Sequence, residues 1–167
     1  MTKLFLIGVV IALCYGVGSV KSARLKSRYK NLCSIKTALC DMKSRIGFFG
    51  FDISRSLLAS GRKKSAEILF KRAAESVCEK GISKAWSDAV EVCGGELCLC
   101  EEDKTALLQL SGRLGMTDCD GQMKNIDGVI ALLDINIADA KYNMDRYCPL
   151  YLGGGVLVGA FLGLMII

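Results

Sequence analysis

The residues best suited to chemistry are three cysteines, Cys93, Cys98 and Cys100, spaced C-x4-C-x-C in a stretch that also carries Glu96. Thiolates at this density suit zinc, with Cys78 or Cys119 as a fourth ligand. Zinc sites are usually marked by two paired C-x2–4-C knuckles, and this cluster has no second pair. Nine irregularly spaced cysteines fit better as reduced thiols and small buried hydrophobes, so no metal or other cofactor is expected.

Catalysis finds little to work with. The chain has no histidine, which removes serine-type triads and imidazole acid–base chemistry. Gly61-Arg62-Lys63-Lys64-Ser65 is basic and glycine-led, but it lacks the upstream glycine of a phosphate-binding loop. It reads as a loop and a helix start. The chain is therefore expected not to be an enzyme, and energy for any transport must come from a partner.

Two other constellations concern contacts. Glu96, Glu101, Glu102 and Asp103 form the most acidic patch, either complementing the positive end of a helix or docking on a basic surface of a cytoplasmic partner. Small residues recur at every fourth position near both ends: Gly8, Ala12 and Gly16, then Gly155, Gly159 and Gly163. In lipid such stripes let helix backbones approach closely. The two are expected to pack on each other or on another membrane subunit.

The elements that place these residues follow from hydropathy. The mean hydropathy is +0.36, and the excess sits at the ends. Leu4 to Val20 and Leu150 to Ile167 carry no charged side chain; each helix would reach roughly 25–27 Å, just enough for a hydrocarbon layer of ~30 Å. The expected organisation is a transmembrane helix over 1–20, a cytoplasmic helical domain over 21–149 and a second transmembrane helix over 150–167. A cleaved secretory leader is the competing reading of the first segment. Against it, no A-x-A site follows, and Lys21, Arg24, Lys26, Arg28 and Lys30 come next with no acid before Asp41, a cluster that opposes translocation. The same cluster holds the centre of the chain in the cytoplasm and leaves both termini on the far side. It also suits anionic headgroups, and no nucleic-acid partner is invoked.

A single proline, Pro149, and the lack of alternating strand patterns predict an all-α fold. The first helix should run on through Leu25, Leu32, Ile35, Leu39 and Ile46 and end at Gly47 and Gly50. A short turn over Ile53 to Ala59 follows, then an amphipathic helix over 63–80 stopped by Gly81. Ser83 should cap a helix through Trp86, Ala89 and Val90, broken at Gly94-Gly95. The next begins near Glu101, buries Leu107, Leu110 and Leu114, and closes at Gly115. The last starts at Thr117 or Asp118. Its seam is Ile126, Ile130, Leu133, Ile137, Ala140 and Met144, a heptad pattern widened by Val129, Leu132 and Ile135. Pro149 suits a kink or a fresh first turn. The first and last helices should run antiparallel and pack through their cytoplasmic extensions.

Three strings carry a resemblance: Gly81-Ile-Ser-Lys-Ala-Trp86, Leu107-Leu-Gln-Leu110, and Leu114-Gly115-Met116-Thr117-Asp118 continuing to Gly121-Gln122 and Ile126. Together, and over the whole chain, they resemble the stage III sporulation protein AB family. That resemblance implies a role in endospore formation, in the assembly joining mother cell and engulfed forespore. It implies a cytoplasmic domain similar to that of type II secretion protein F, and a two-pass location in the mother-cell membrane around the forespore. It also implies a secretion-type ATPase partner similar to stage III sporulation protein AA, together with other membrane subunits. Carried onto this chain, the pattern matches Trp86, Gly115, Asp118 and Gln122, expected as core, helix stop, helix cap, and a tie to that cap or a partner contact. The expected function is a non-enzymatic platform subunit coupling a cytoplasmic ATPase to the membrane apparatus. The alternative is a membrane adaptor or signalling protein without a transport role.

Overall fold

The computed structural model describes residues 2–49, 53–60, 64–112 and 119–166, and these form six helices with no strand among them. They are α1 (Thr2–Phe49), α2 (Ile53–Ser60), α3 (Lys64–Lys80), α4 (Ile82–Gly94), α5 (Glu101–Ser111) and α6 (Cys119–Ile166). The all-α expectation is met. Contacts divide the chain into two compact units. One comprises Met1–Tyr29 with Asp139–Ile167; the other is Lys30–Ala138. Among the described residues no helix is long and apolar enough to cross a membrane. The side chains of residues 2–7, 10, 11, 160 and 162–166, which fall in or beside the two apolar ends, lie outside those described.

The 30–138 unit is a helical bundle around a core that the sequence pattern anticipates. Leu32, Ile35, Leu39 and Ile46 of α1 are all buried, with Met42 filling the same stripe. Their spacing of three and four keeps them on one face. From α6, Ile126 and Leu133 of the heptad seam close on the core with Val129 beside them, while Ile130 and Ile137 are half-buried. Ile135, expected to widen that face, is instead 68% exposed. It lies two residues beyond buried Leu133, a step of 200° around the helix, so one face cannot hold both.

The two long helices run antiparallel here, and ion pairs mark their register. Lys36 Nζ lies 2.5 Å from Asp134 and Lys43 Nζ 2.7 Å from Asp127. Seven residues forward on α1 thus meet seven residues back on α6. Four further on, a Cβ on Gly47 would sit 2.7 Å from Met123 Sδ, continuing the register. These pairs are half exposed, so they specify alignment more than they stabilise. Asp134, by accepting the hydrogen bond, raises the Lys36 pKa above its ordinary value.

The short helices pack through α4, which lies against both α3 and α5. Trp86 is fully buried, with its ring edge-to-face on Phe70 at 5.4 Å between centroids. Its indole N–H donates to the Leu107 carbonyl at 2.8 Å, which meets the polar need of a buried tryptophan. Gly81 joins α3 to α4. Its N–H donates to Val77 O and its own carbonyl accepts from the Ala85 N–H, both at 3.0 Å. The φ of +75° that this requires is open to glycine at no steric cost. Helix α4 therefore starts at Ile82, and Ser83, expected as its cap, lies inside it. At the other end of α5, Gly112 supplies the stop: its N–H donates to Leu110 O. The expected stop at Gly115 and the expected cap at Thr117 or Asp118 lie outside the described residues. Helix α6 runs through Pro149 without interruption.

Gly94-Gly95 ends α4 as expected, and a turn leads to α5. Asn31 of α1, buried, donates through Nδ2 to the Leu97 carbonyl at 2.8 Å, pinning this turn to the core. At its apex Cys98 has a φ of +56°, a left-handed conformation that disfavours a side chain. Cys98→Gly should stabilise the bundle by about 0.5–1 kcal/mol in denaturant unfolding, the relieved strain outweighing the added chain entropy. A lower midpoint would show that the thiol contributes more than the strain costs.

Candidate functional site

In the unit made by the two helix ends, α1 and α6 approach almost backbone to backbone. A Cβ on Gly18 would overlap the Tyr151 carbonyl oxygen. A Cβ on Gly155 would lie 2.8 Å from the Cys14 carbonyl oxygen. Ser22 and Cys148 are buried nearby, and the Cys148 thiol points to the Ser22 carbonyl at 3.6 Å. The α1 side of the seam is thus Cys14, Gly18 and Ser22, small residues every fourth position; the α6 side is Cys148, Gly155 and buried Gly159. Arg28 and Asp139 pair at 3.2 Å beside it.

On α1 the contact with α6 uses a different face from the Gly8, Ala12 and Gly16 stripe. Gly8, Ala12 and Gly16 are exposed, and a Cβ on Gly8 or Gly16 would meet nothing within 4 Å. Of their α6 counterparts, Gly155 lies at the contact and Gly159 is buried; the surroundings of Gly163 lie outside the described residues. The signal that finds the α1 seam is Cys14-x-x-x-Gly18-x-x-x-Ser22, once cysteine and serine are counted as small.

The outward faces of this unit are large and apolar: Leu13, Val17, Val20, Leu157, Val158 and Phe161 are each more than half exposed. Next to them in sequence stands a collar of aromatic and cationic groups. Lys21 Nζ lies 5.6 Å from the centre of the Tyr151 ring, and the Arg146 guanidinium 5.7 Å from both Tyr142 and Tyr147. Small residues inside and large apolar ones outside invert the usual order of a water-soluble helix pair.

The acidic patch divides. Glu96, Glu101 and Glu102 are exposed, whereas Asp103 is fully buried. Asp103 accepts the Cys100 backbone N–H at 3.0 Å, closing a capping box at the start of α5, so it belongs to the helix end and not to a docking surface. Glu101 pairs with Lys104 at 2.6 Å.

The cysteines do not assemble: among the described residues no group of three His, Cys, Asp or Glu could hold a metal ion. Cys93 is buried in the core, Cys98 is at the turn apex, and Cys100 is the α5 N-cap. Burial pushes the Cys93 thiol up, and burial followed by the Glu102 hydrogen bond pushes Cys100 up to about 12. Both are therefore thiols at neutral pH. Of the family-motif residues, Trp86 occupies the core as expected. Gln122 is buried on the first turns of α6, and Gly115 and Asp118 lie outside the described residues.

Comparison with known proteins gives consistent findings. The family model described as "Stage III sporulation protein AB (spore_III_AB)" matches residues 3–167. A solved structure of stage III sporulation protein AB aligns with a TM-score of 0.64 at 18% identity, over 71% of this chain and 96% of that one. At this identity the likeness speaks to the fold. No curated protein matches the chain.

Two substitution sets test the assignments in detergent-solubilised full chain. Gly18→Leu and Gly155→Leu should each destabilise by about 1–3 kcal/mol or more through overpacking, while Gly16→Leu stays within about 0.5 kcal/mol; equal losses would remove the seam. Asp103→Ala should cost about 1–2 kcal/mol in unfolding of the bundle, with Glu101→Gln near zero. A neutral Asp103→Ala would contradict the capping role.

Proposed function

Because the chain belongs to the stage III sporulation protein AB family, a family of sporulation, we propose that it is a non-enzymatic platform subunit of a secretion-type complex between mother cell and forespore. It couples a cytoplasmic ATPase to the membrane apparatus. Its two ends form a helical hairpin in the mother-cell membrane around the forespore, and the bundle of 30–138 is displayed to the cytoplasm.

The observation that carries the membrane part is the inside-out helix pair. Water favours burying large apolar side chains, because their removal from solvent is the driving force. Lipid offers no such gain between helices, and close backbone approach through small residues takes its place. A seam of Gly18, Ser22 and Gly155 with Leu13, Val17, Leu157 and Phe161 facing outward suits the second solvent. The tyrosine–cation collar suits headgroup depth, where amphipathic rings and basic side chains collect. The cations after Val20 then keep the bundle inside the cell.

An assembly role in place of catalysis is supported by the chemistry present. The sequence holds no histidine and no phosphate-binding loop, so nucleotide hydrolysis falls to the partner ATPase.

The exposed native thiols Cys40, Cys78 and Cys119 report topology directly. A membrane-impermeant maleimide added to protoplasts of vegetative cells expressing the chain, where it inserts in the plasma membrane, should leave them unmodified until the membrane is permeabilised, as read by mass spectrometry of the bundle peptides. Modification in sealed protoplasts would place the bundle outside and remove the proposed role with it.

A further inference from the structure

The two units divide the charge of the chain unequally. The unit of the two ends carries seven basic and two acidic side chains, and the 30–138 unit fifteen of each. The whole surplus of +5 therefore belongs to the ends. Apart from Lys3, its cations stand beside the apolar stretches: Lys21, Arg24, Lys26 and Arg28 follow Val20 on α1, and Lys141 and Arg146 precede Leu150 on α6.

Half of these six are already engaged. Arg28 pairs with Asp139 at 3.2 Å, Lys21 lies over the Tyr151 ring, and Arg146 donates to the Tyr142 hydroxyl at 2.5 Å. Arg24, Lys26 and Lys141 are exposed and have no acidic partner among the described residues. The other acid of the unit, Asp145, is exposed and enters no ion pair among them either.

The fold brings two of the three unpaired cations together. Ser22 and Cys148 face each other across the seam. At 100° and 1.5 Å per residue, Lys26 stands about 40° from the direction of Ser22 and about 6 Å past it along α1. Lys141 stands about 20° from the direction of Cys148 and about 10 Å before it along α6. The helices run antiparallel, as the Gly18–Tyr151 and Cys14–Gly155 contacts show, so both displacements run the same way. The two lysines thus leave opposite helices on the seam side, at levels about 4 Å apart. Arg24, about 200° round from Ser22, carries charge to the far side of α1. Holding a flank in the cytoplasm needs only cations near an apolar segment in the sequence. It does not need α1 and α6 to present theirs unpaired at one level.

We infer that this band binds anionic phospholipid of the cytoplasmic leaflet, with Lys26 and Lys141 closing on one headgroup phosphate and Arg24 holding a second. Clusters of about four to eight Lys and Arg beside a membrane helix attract anionic headgroups, and basic pockets between such helices hold them. The neutral 30–138 unit gains nothing from the same surface, so the attraction anchors the hairpin and leaves the bundle clear for a partner. The inference rests on the membrane reading of the helix ends.

The test places full chain in mixed bilayers of phosphatidylcholine and phosphatidylglycerol, with a trace of one lipid or the other spin-labelled on its acyl chain. Electron spin resonance reads the fraction of each that the helices restrict. Phosphatidylglycerol should be favoured about fivefold, the ratio that one cation at the membrane surface supplies. Molar salt should remove the preference, because the screening length falls to about 3 Å. Arg24→Gln, Lys26→Gln and Lys141→Gln together should reduce it about threefold or more, with restricted phosphatidylcholine unchanged as the sign of an intact helix pair. Lys71→Gln with Arg72→Gln, exposed on α3, should leave it as it was. Equal restriction of the two lipids, a preference that survives the triple replacement, or equal loss from the α3 pair would each overturn the inference while the helices stay in the membrane. Restriction of neither lipid would remove the membrane reading, and this inference with it.

Discussion

The pairing of α1 with α6 is the constraint on which the remaining structure depends. The first and last helices of the chain meet in both units, and they do so with two different codes. In the bundle both helices bury large apolar residues, Leu32 and Leu39 on α1 and Ile126 and Leu133 on α6, and are joined by the Lys36–Asp134 and Lys43–Asp127 pairs. In the unit of the two ends their contact is lined by Gly18, Ser22, Cys148 and Gly155, bordered by large exposed apolar side chains. The first code suits water, where area removed from solvent drives association. The second suits lipid, where packing distance does. The same pair of helices thus changes its chemistry as its proposed solvent changes.

Within the bundle, the long helices leave a face that the short ones must fill. Trp86 ties α4 to α5 through the Leu107 carbonyl, Asn31 ties the α4–α5 turn to α1, and Asp103 closes the start of α5. Each is a polar contact to a backbone group of a neighbouring segment, and such contacts are costly to lose when buried. The left-handed Cys98 is held between two of them, flanked by buried Leu97 and Leu99. The bundle is therefore specified by a few polar ties laid over an otherwise interchangeable apolar core.

Much of this was legible in the residue pattern. The stripe through Leu32, Ile35, Leu39 and Ile46 and the breaks at Gly81 and Gly94-Gly95 need only local periodicity and glycine chemistry, and both were found. So was the buried place of Trp86. What periodicity cannot give is which of several similar faces a partner will use. Gly8-Ala12-Gly16 and Cys14-Gly18-Ser22 are equally good stripes until the position of α6 selects one. The same blindness put Ile135 in the core and Asp103 on the surface: neighbours in sequence, Glu102 and Asp103 differ only in which side of α5 they occupy. Ser83 was the better cap by composition, yet the positive φ available to Gly81 let α4 begin with that single residue between it and α3. The family resemblance supplied the sporulation role, which no arrangement of these side chains would have indicated.

The central claim is that the two ends of the chain close on their small residues and turn their large apolar ones to lipid. A diazirine phospholipid, photolysed in bilayers containing the full chain and mapped by peptide mass spectrometry, tests it most directly. Labelling is predicted at Leu13, Val17, Leu157 and Phe161, with Gly18, Ser22, Cys148 and Gly155 spared. Labelling of the seam residues, or none on either helix end, would contradict it.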